Sequence, residues 1–171
     1  MKIRTIETAR LRLRSFTRAD ADFAISIWND PEMGEYLPDE AMEEIDEAYR
    51  KEIEGLEDAE DCCYLIAEAK DSRERIGTCS FIVSDDGKTY DIAYCVHKAH
   101  WGNGYATEMA GGLIARAKEQ GADRITVRVN RENAASNRVV GKLGFKAVGE
   151  RSCRKRGTDR EFIDLLYERN V

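Results

Sequence analysis

The best-defined amphipathic helical pattern in the chain follows directly on a run of strands, and a pair of glycines marks the junction. Ala106, Met109, Ala110, Leu113, Ile114 and Ala117 recur on one helical face that ends near Gly121. Before them lie three strand-like runs, at about 62–68, 76–84 and 90–97, separated by charged turns at Lys70-Asp71-Ser72 and Asp85-Asp86-Gly87. Strands joined by such short turns read as an antiparallel meander. Its last strand then enters the helix through Trp101-Gly102-Asn103-Gly104. A meander in that place, where a dinucleotide-binding fold would open with a βαβ unit, fits such a fold poorly, and the third glycine of its fingerprint is missing. No Gly-Lys-Ser/Thr is present to hold a nucleoside triphosphate.

The remaining elements follow from periodicity. Arg10-Leu11-Arg12-Leu13-Arg14 alternates as a half-buried strand, and Asp20 is placed to cap a short helix carrying Phe23, Ile27 and Trp28. A second helix is expected over 39–56, with Met42, Ile45, Tyr49, Ile53 and Leu56 on one face. Residues 39–61 hold 12 acids and 2 bases, which reads as a solvated face or as an attractor for a basic acceptor. After Gly121 come a strand with Ile125, Val127 and Val129, a helix at about 134–143, and strands at 145–148 and about 161–167. At 171 residues and 42% hydrophobic content, the expectation is one domain spanning 1–171. Its class is α/β (α+β), a mixed, mostly antiparallel sheet of about six or seven strands flanked by about four helices.

A net charge of −6 argues against a general nucleic-acid binder. The opening residues reach no apolar leader and no run approaches the roughly 20 apolar residues that span a bilayer, so a cytoplasmic protein without membrane contact is expected. Five cysteines form no CxxC pair and read as buried reduced thiols, while His97 and His100 lack partners at metal-ligand spacing, so no metal is expected.

Gly102 and Gly104 let the backbone turn tightly, and the N–H groups at the helix start then suit a pyrophosphate; two glycines also make an ordinary loop. A second constellation, Asn130-Arg131-Glu132-Asn133-Ala134-Ala135-Ser136-Asn137-Arg138, ends a strand and opens a helix that stops at Lys142-Leu143-Gly144-Phe145.

With both constellations in view, the chain from Thr8 to about Tyr167 resembles the GCN5-related N-acetyltransferase superfamily, in its RimJ/RimL-like ribosomal-protein N-terminal branch. Thr8-Ala9-Arg10-Leu11-Arg12-Leu13-Arg14 is similar to that branch's opening. Trp101-Gly102-Asn103-Gly104-Tyr105-Ala106-Thr107-Glu108, Glu132-Asn133-Ala134-Ala135-Ser136 and Lys142-Leu143-Gly144-Phe145 are similar to its later signatures, in the same order.

The resemblance implies acetyl-CoA as co-substrate, with its pyrophosphate on backbone N–H groups of Trp101, Gly102, Asn103, Gly104, Tyr105, Ala106 and Thr107. The pantetheine arm would add like a strand against the backbone of Tyr94, Cys95 and Val96, with Cys95 or Val96 donating to the developing oxyanion. Asn133 would bond the pantetheine or acetyl end, or cap the next helix, with Asn137 close by and Arg138 or Lys142 available to phosphate. Many relatives carry Gln or Arg where this chain has Ala99, and a tyrosine acid where it has Val139 and Val140. Ser136 is therefore the candidate acid, a capping hydroxyl being its alternative; Asp91 is the candidate base or an ordinary surface aspartate. Trp28 and Tyr36 read as acceptor contacts, core or lid, and Arg151, Arg154, Lys155, Arg156 and Arg160 as a solvated loop or a phosphate site.

The expected reaction is direct attack of a primary amine, foremost a peptide or protein α-amine, by a monomer or homodimer. Small-molecule acetylation of a polyamine, aminoglycoside or amino acid, or a non-catalytic acyl-CoA-binding module, are the alternatives.

Overall fold

Alternation along the strands sends one set of side chains to each face of a sheet, and both faces of this sheet are covered. The computed structural model describes residues 3–171; Met1 and Lys2, which open the segment read above as carrying no leader, lie outside the described residues. In chain order the elements are β1 (Ile6–Glu7), β2 (Leu11–Ser15), α1 (Ala21–Trp28), α2 (Glu47–Gly55), β3 (Cys63–Ala69), β4 (Arg75–Val83) and β5 (Thr89–Val96). There follow α3 (Tyr105–Glu119), β6 (Arg124–Asn130), α4 (Ala134–Lys142), β7 (Lys146–Arg154) and β8 (Glu161–Asn170). They form one 8-stranded sheet in the order β1-β2-β3-β4-β5-β6-β8-β7. Its neighbours are antiparallel except β5 and β6, which are parallel.

The mixed, mostly antiparallel sheet with four α-helices is the expected class. The strand count is higher because β1 is two residues long, too short to show a period. On one face α3 buries Met109, Ala110, Leu113, Ile114 and Ala117 against Leu11 and Leu13 of β2, Ile92 of β5 and Ile125 of β6. On the other face α1 and α2 bury Ala24, Ile25 and Ile53 against Phe16 and Ile66.

Three local expectations are corrected. The second helix covers only Glu47–Gly55, with Asp46 as its cap accepting from the Tyr49 N–H at 2.7 Å. Upstream, Asp39, Glu40, Glu43 and Glu44 crowd like charges at helical spacing, and the backbone is bonded elsewhere. Glu40 N–H donates to the Arg156 carbonyl, and the Asn29 side chain holds Met42 by both its N–H and its carbonyl. Asp20 holds the N-cap position of α1 but makes no side-chain capping bond to it; a 3₁₀ turn at Arg18–Asp20 begins earlier, and Asp20 completes a capping box with Thr17. The strand expected at 145–148 runs on to Arg154, because β8 pairs with it along that length.

The site is positioned by how β5 ends. Thr89–Asp91 pair with 124–126 of β6, and past Asp91 no rung joins the two strands. β5 continues paired to β4 up to Val96, while β6 continues paired to β8 up to Asn130. The two therefore diverge, and one edge of β5 is left open inside the sheet.

Candidate active site

The phase of the β4–β5 ladder decides which backbone groups face that gap. Ser84 N–H donates to the Thr89 carbonyl and His97 N–H to the Ile76 carbonyl, both at 2.9 Å, and the register between these ends is unbroken. Antiparallel alternation then turns the polar groups of Asp91, Ala93 and Cys95 toward β4, and those of Ile92, Tyr94 and Val96 toward the gap. Cys95 is thereby corrected as a backbone contact: its N–H and carbonyl are spent on β4. Tyr94 and Val96 keep theirs, although the Val96 carbonyl accepts the Trp101 indole N–H at 2.8 Å.

Beyond β5 the chain makes a 3₁₀ turn at Lys98–His100 and reaches the glycines. Gly102 and Gly104 sit at φ 78° and 77°, the left-handed region that glycine enters without a Cβ penalty. A Cβ at Gly102 would meet nothing within 4 Å, so the loop presents bare backbone to solvent. The Asn103 side chain folds back, donating to the carbonyls of His100 and Trp101 at 3.1 Å each, and so shapes the loop. The first rung of α3 is Glu108 N–H to the Gly104 carbonyl, which leaves the N–H groups of Tyr105, Ala106 and Thr107 without an intrahelical acceptor.

Arg10 is a residue of this site that the sequence reading did not single out. Its guanidinium lies 4.5 Å over the Tyr105 ring, and Nη2 is 3.7 Å from where a Cβ on Gly104 would be. Glu108 fixes it there through Nε at 2.7 Å. The same carboxylate takes the Arg10 N–H and the Thr8 hydroxyl, both at 2.6 Å. Burial opposes ionisation of Glu108, yet these bonds outweigh it and hold the carboxyl below its ordinary value. The available signal was the opening Thr8-Ala9-Arg10 tag together with Glu108, which separate in sequence and meet in space.

On α4, Asn133 is the helix cap, its Oδ1 accepting the Ser136 N–H at 3.0 Å. Ser136 is thus not the capping hydroxyl. Its Oγ lies 2.8 Å from the Tyr94 Oη, which reaches from β5 to α4. Burial raises the Tyr94 phenol, with the Ser136 bond opposing it, so the group is protonated at neutral pH. A tyrosine therefore does enter the site, from β5. Val140, one of two positions where the resemblance implied a tyrosine, is 1% exposed in the core.

Asn137 does not face the gap with a free amide: Nδ2 donates to the carbonyls of Asn130 and Asn133, and Oδ1 accepts from the Tyr167 hydroxyl at 2.8 Å. Lys142 ends α4, about 13 Å along the axis from Asn133, in a concavity it shares with Gly144 and Lys146.

The opposite face holds Asp91. Its carboxylate accepts from the Thr126 hydroxyl at 2.8 Å and lies 3.6 Å from the Arg128 guanidinium, so it has a cation partner already. The basic run of the β7–β8 hairpin is a fastener. Buried Lys155 donates to the carbonyls of Gly34 and Glu35, Arg156 bonds Asp39, and Arg160 lies 3.4 Å from Glu35. Trp28 bonds Thr78, and the Tyr36 ring lies 6.4 Å from that of Phe162.

Burial raises the thiols of Cys62, Cys63, Cys79, Cys95 and Cys153. Among the described residues no cluster of three or more His, Cys, Asp or Glu is arranged to hold a metal, and no helix is long and apolar enough to cross a membrane.

Comparison with known proteins places the whole chain in a family. The chain is 30% identical over 154 residues to an uncharacterized N-acetyltransferase, p20, of Bacillus licheniformis, covering 85% of this chain and 84% of that one. A spermidine N-acetyltransferase from Vibrio cholerae, solved with CoA and spermine, superposes with a TM-score of 0.80 at 18% identity over 95% of this chain and 96% of that one. RimL, a ribosomal L7/L12 alpha-N-protein acetyltransferase, superposes with a TM-score of 0.79 at 18% identity, covering 98% and 94%. The family model of the acetyltransferase (GNAT) domain matches residues 10–146, which take in the diverging strands, the glycine loop and the Asn133 cap. On these grounds the chain belongs to the GNAT acetyltransferase family, and it is an acyltransferase.

Proposed function

We propose that this chain, as a single cytoplasmic domain of the RimJ/RimL-like branch, transfers acetyl from acetyl-CoA to a peptide or protein α-amine. The observation that carries the cofactor half is the open edge of β5 running into a loop of two left-handed glycines. Tyr94 and Val96 supply an unpaired strand edge for an amide-bearing arm. The loop and the first turn of α3 supply N–H donors for a pyrophosphate, and Arg10 supplies the cation that Ala99 does not. Acetyl-CoA contributes the activated thioester.

In the transfer, the amine nitrogen bonds the acetyl carbon, the carbon–sulfur bond breaks, the amine gives up a proton and the thiolate takes one. The Val96 N–H is the donor facing the gap where charge develops. Ser136, hydrogen-bonded to the protonated phenol of Tyr94, holds the proton for the thiolate. Asp91 lies five residues from Val96 along β5, about 17 Å, and accepts the amine's proton through a relay of waters.

The acceptor follows from this modest equipment. An α-amine of pKa about 7.8 is roughly one-seventh neutral at pH 7, whereas a lysine amine of about 10.4 is neutral in under one molecule per thousand. A carboxylate already held by Thr126 and Arg128 suits the first. Two peptides differing only in which amine is blocked, assayed over about pH 6.5 to 9, decide it. Acetylation of the lysine-only peptide with the free N-terminus ignored would overturn the assignment.

A further inference from the structure

Between α1 and strands β3, β4 and β5 lies a small cavity on the face of the sheet opposite α3. Its volume is about 150 Å³, and Trp28, Tyr64, Thr78, Ala93 and Cys95 supply its walls. We propose that it receives the apolar side chain of the acceptor's first residue, so that the substrate class is peptides beginning with a medium-sized apolar residue such as Leu, Met or Phe. This rests on the acetyltransferase reading above.

Position ties the cavity to the chemistry. Ala93 and Cys95 belong to the part of β5 that lies beyond its last rung to β6, so the cavity adjoins the open edge. It lies on the α1 side, while the glycine loop opens α3 on the other side, so what fills it comes with the acceptor. Asp91 shares this face two residues away.

Chemistry then selects the occupant. None of the residues around the cavity is an acid or a base with a charge at neutral pH. Burial raises the Tyr64 phenol to about 12 and the Cys95 thiol to about 11, so both are neutral. The Thr78 hydroxyl is engaged by the Trp28 indole N–H at 3.1 Å. A cation placed here would lose its hydration, find no carboxylate among these walls and have only ring faces and neutral hydroxyls in exchange, whereas an apolar group would gain throughout. A cavity of this size is one that holds a benzene. Ala93 leaves its floor open where a larger residue would fill it.

A second feature favours a peptide over a polyamine. Asn130 lies four residues past the last rung on β6, as Cys95 does on β5, and shares the face of Thr126 and Arg128. It is 5% exposed and its side-chain N–H₂ has no partner. A donor in that state is matched by a carbonyl, which a peptide carries next to its α-amine and a polyamine lacks.

The test measures thiol release with acetyl-CoA and hexapeptides that differ only in the first residue (Leu, Met, Phe, Ser, Asp), lysine-free, beside spermidine. Leu, Met and Phe peptides should exceed the Ser and Asp peptides and spermidine by 10-fold or more in kcat/KM. Ala93→Leu should erase that ranking, and Trp28→Ala should shift it toward larger side chains. A wild-type preference for spermidine or for the Ser or Asp peptide overturns the inference and leaves the acetyltransferase reading intact. So does an Ala93→Leu variant that binds acetyl-CoA, keeps the amine ranking and changes only the tolerated acyl length. Thiol release from no amine by folded protein that binds acetyl-CoA overturns both.

Discussion

On the α3 side of the sheet the packing is apolar from β2 to β6, whereas on the α1 side a small apolar cluster is framed by charges. There Asp20, 0% exposed, binds Arg14 through two nitrogens at 2.7 and 2.8 Å and Arg75 at 2.9 Å, and Arg14 also holds Glu68 at 2.6 Å. The α3 side is specified by periodicity and by glycine, so it tolerates change wherever volume is kept. The α1 side is specified by pairs of charges from distant segments, each of which fails if one member is removed. The site proposed above lies between the two, with the cofactor assigned to backbone groups on the α3 side and the acceptor to side chains on the α1 side.

The sharpest way to break this contrast is Asp20→Asn. Burial opposes the charge of Asp20, but the bonds from Arg14 and Thr17 outweigh it and hold the carboxyl below its ordinary value. Removing the charge leaves two arginines short of a partner, and urea denaturation should show a loss of about 3–5 kcal/mol. Because the folded value is depressed, the contribution is full above the unfolded value of about 3.9 and drains as pH falls through the folded one. The variant's stability should therefore fall less than the wild type's in that acid range. Equal acid sensitivity would mean that the pairs are not the frame.

Gly104→Val tests the other side. A branched residue at φ 77° is strained and covers the loop's N–H groups, so calorimetry should find acetyl-CoA affinity reduced by about 100-fold, about 2.7 kcal/mol, in a protein that still melts cooperatively. Unchanged affinity would remove the loop from the site.

Gly77→Ala probes the seam between the sides. A Cβ there would lie 2.2 Å from the Cys95 carbonyl oxygen, so β4 and β5 must part, at a cost of about 1–3 kcal/mol and with lower turnover. Full stability and full activity would show that β5 is not held to this register.

Asn133→Ala is the mildest. Losing the cap should cost about 1 kcal/mol in stability. A larger fall in turnover per folded molecule would show that Ser136, which the cap orients, matters to the reaction beyond folding; an equal fall would reduce Asn133 to a cap.

The same contrast explains what could be read from the sequence. α3, the meander and α4 were legible because a helical face, a two-residue period and glycine at positive φ are local properties of the chain. The glycine loop and Asn133 as cap were legible for the same reason. The Tyr94–Ser136 pair was not, since it depends on how α4 lies over β5, 42 residues apart. Nor was the irregular course of 39–46, which hairpin contacts some 117 residues away decide. Cys95 was misjudged by one residue because ladder phase is set by the partner strand. Of the basic run, read as loop or phosphate site, Lys155, Arg156 and Arg160 found their carbonyls and carboxylates in the loop from Gly34 to Glu40.

The Glu108 clasp also bears on how the protein is made. The first turn of α3 is anchored to Arg10, 98 residues earlier, so the meander and α3 together do not complete the cofactor loop. That closure spans more than half the chain, so its entropic cost is met only together with the other long-range contacts around it. Acetyl-CoA binding is then a report that the N-terminal strand has docked. Clipping of the chain ahead of β2 should silence binding while leaving the helix content of the remainder almost untouched.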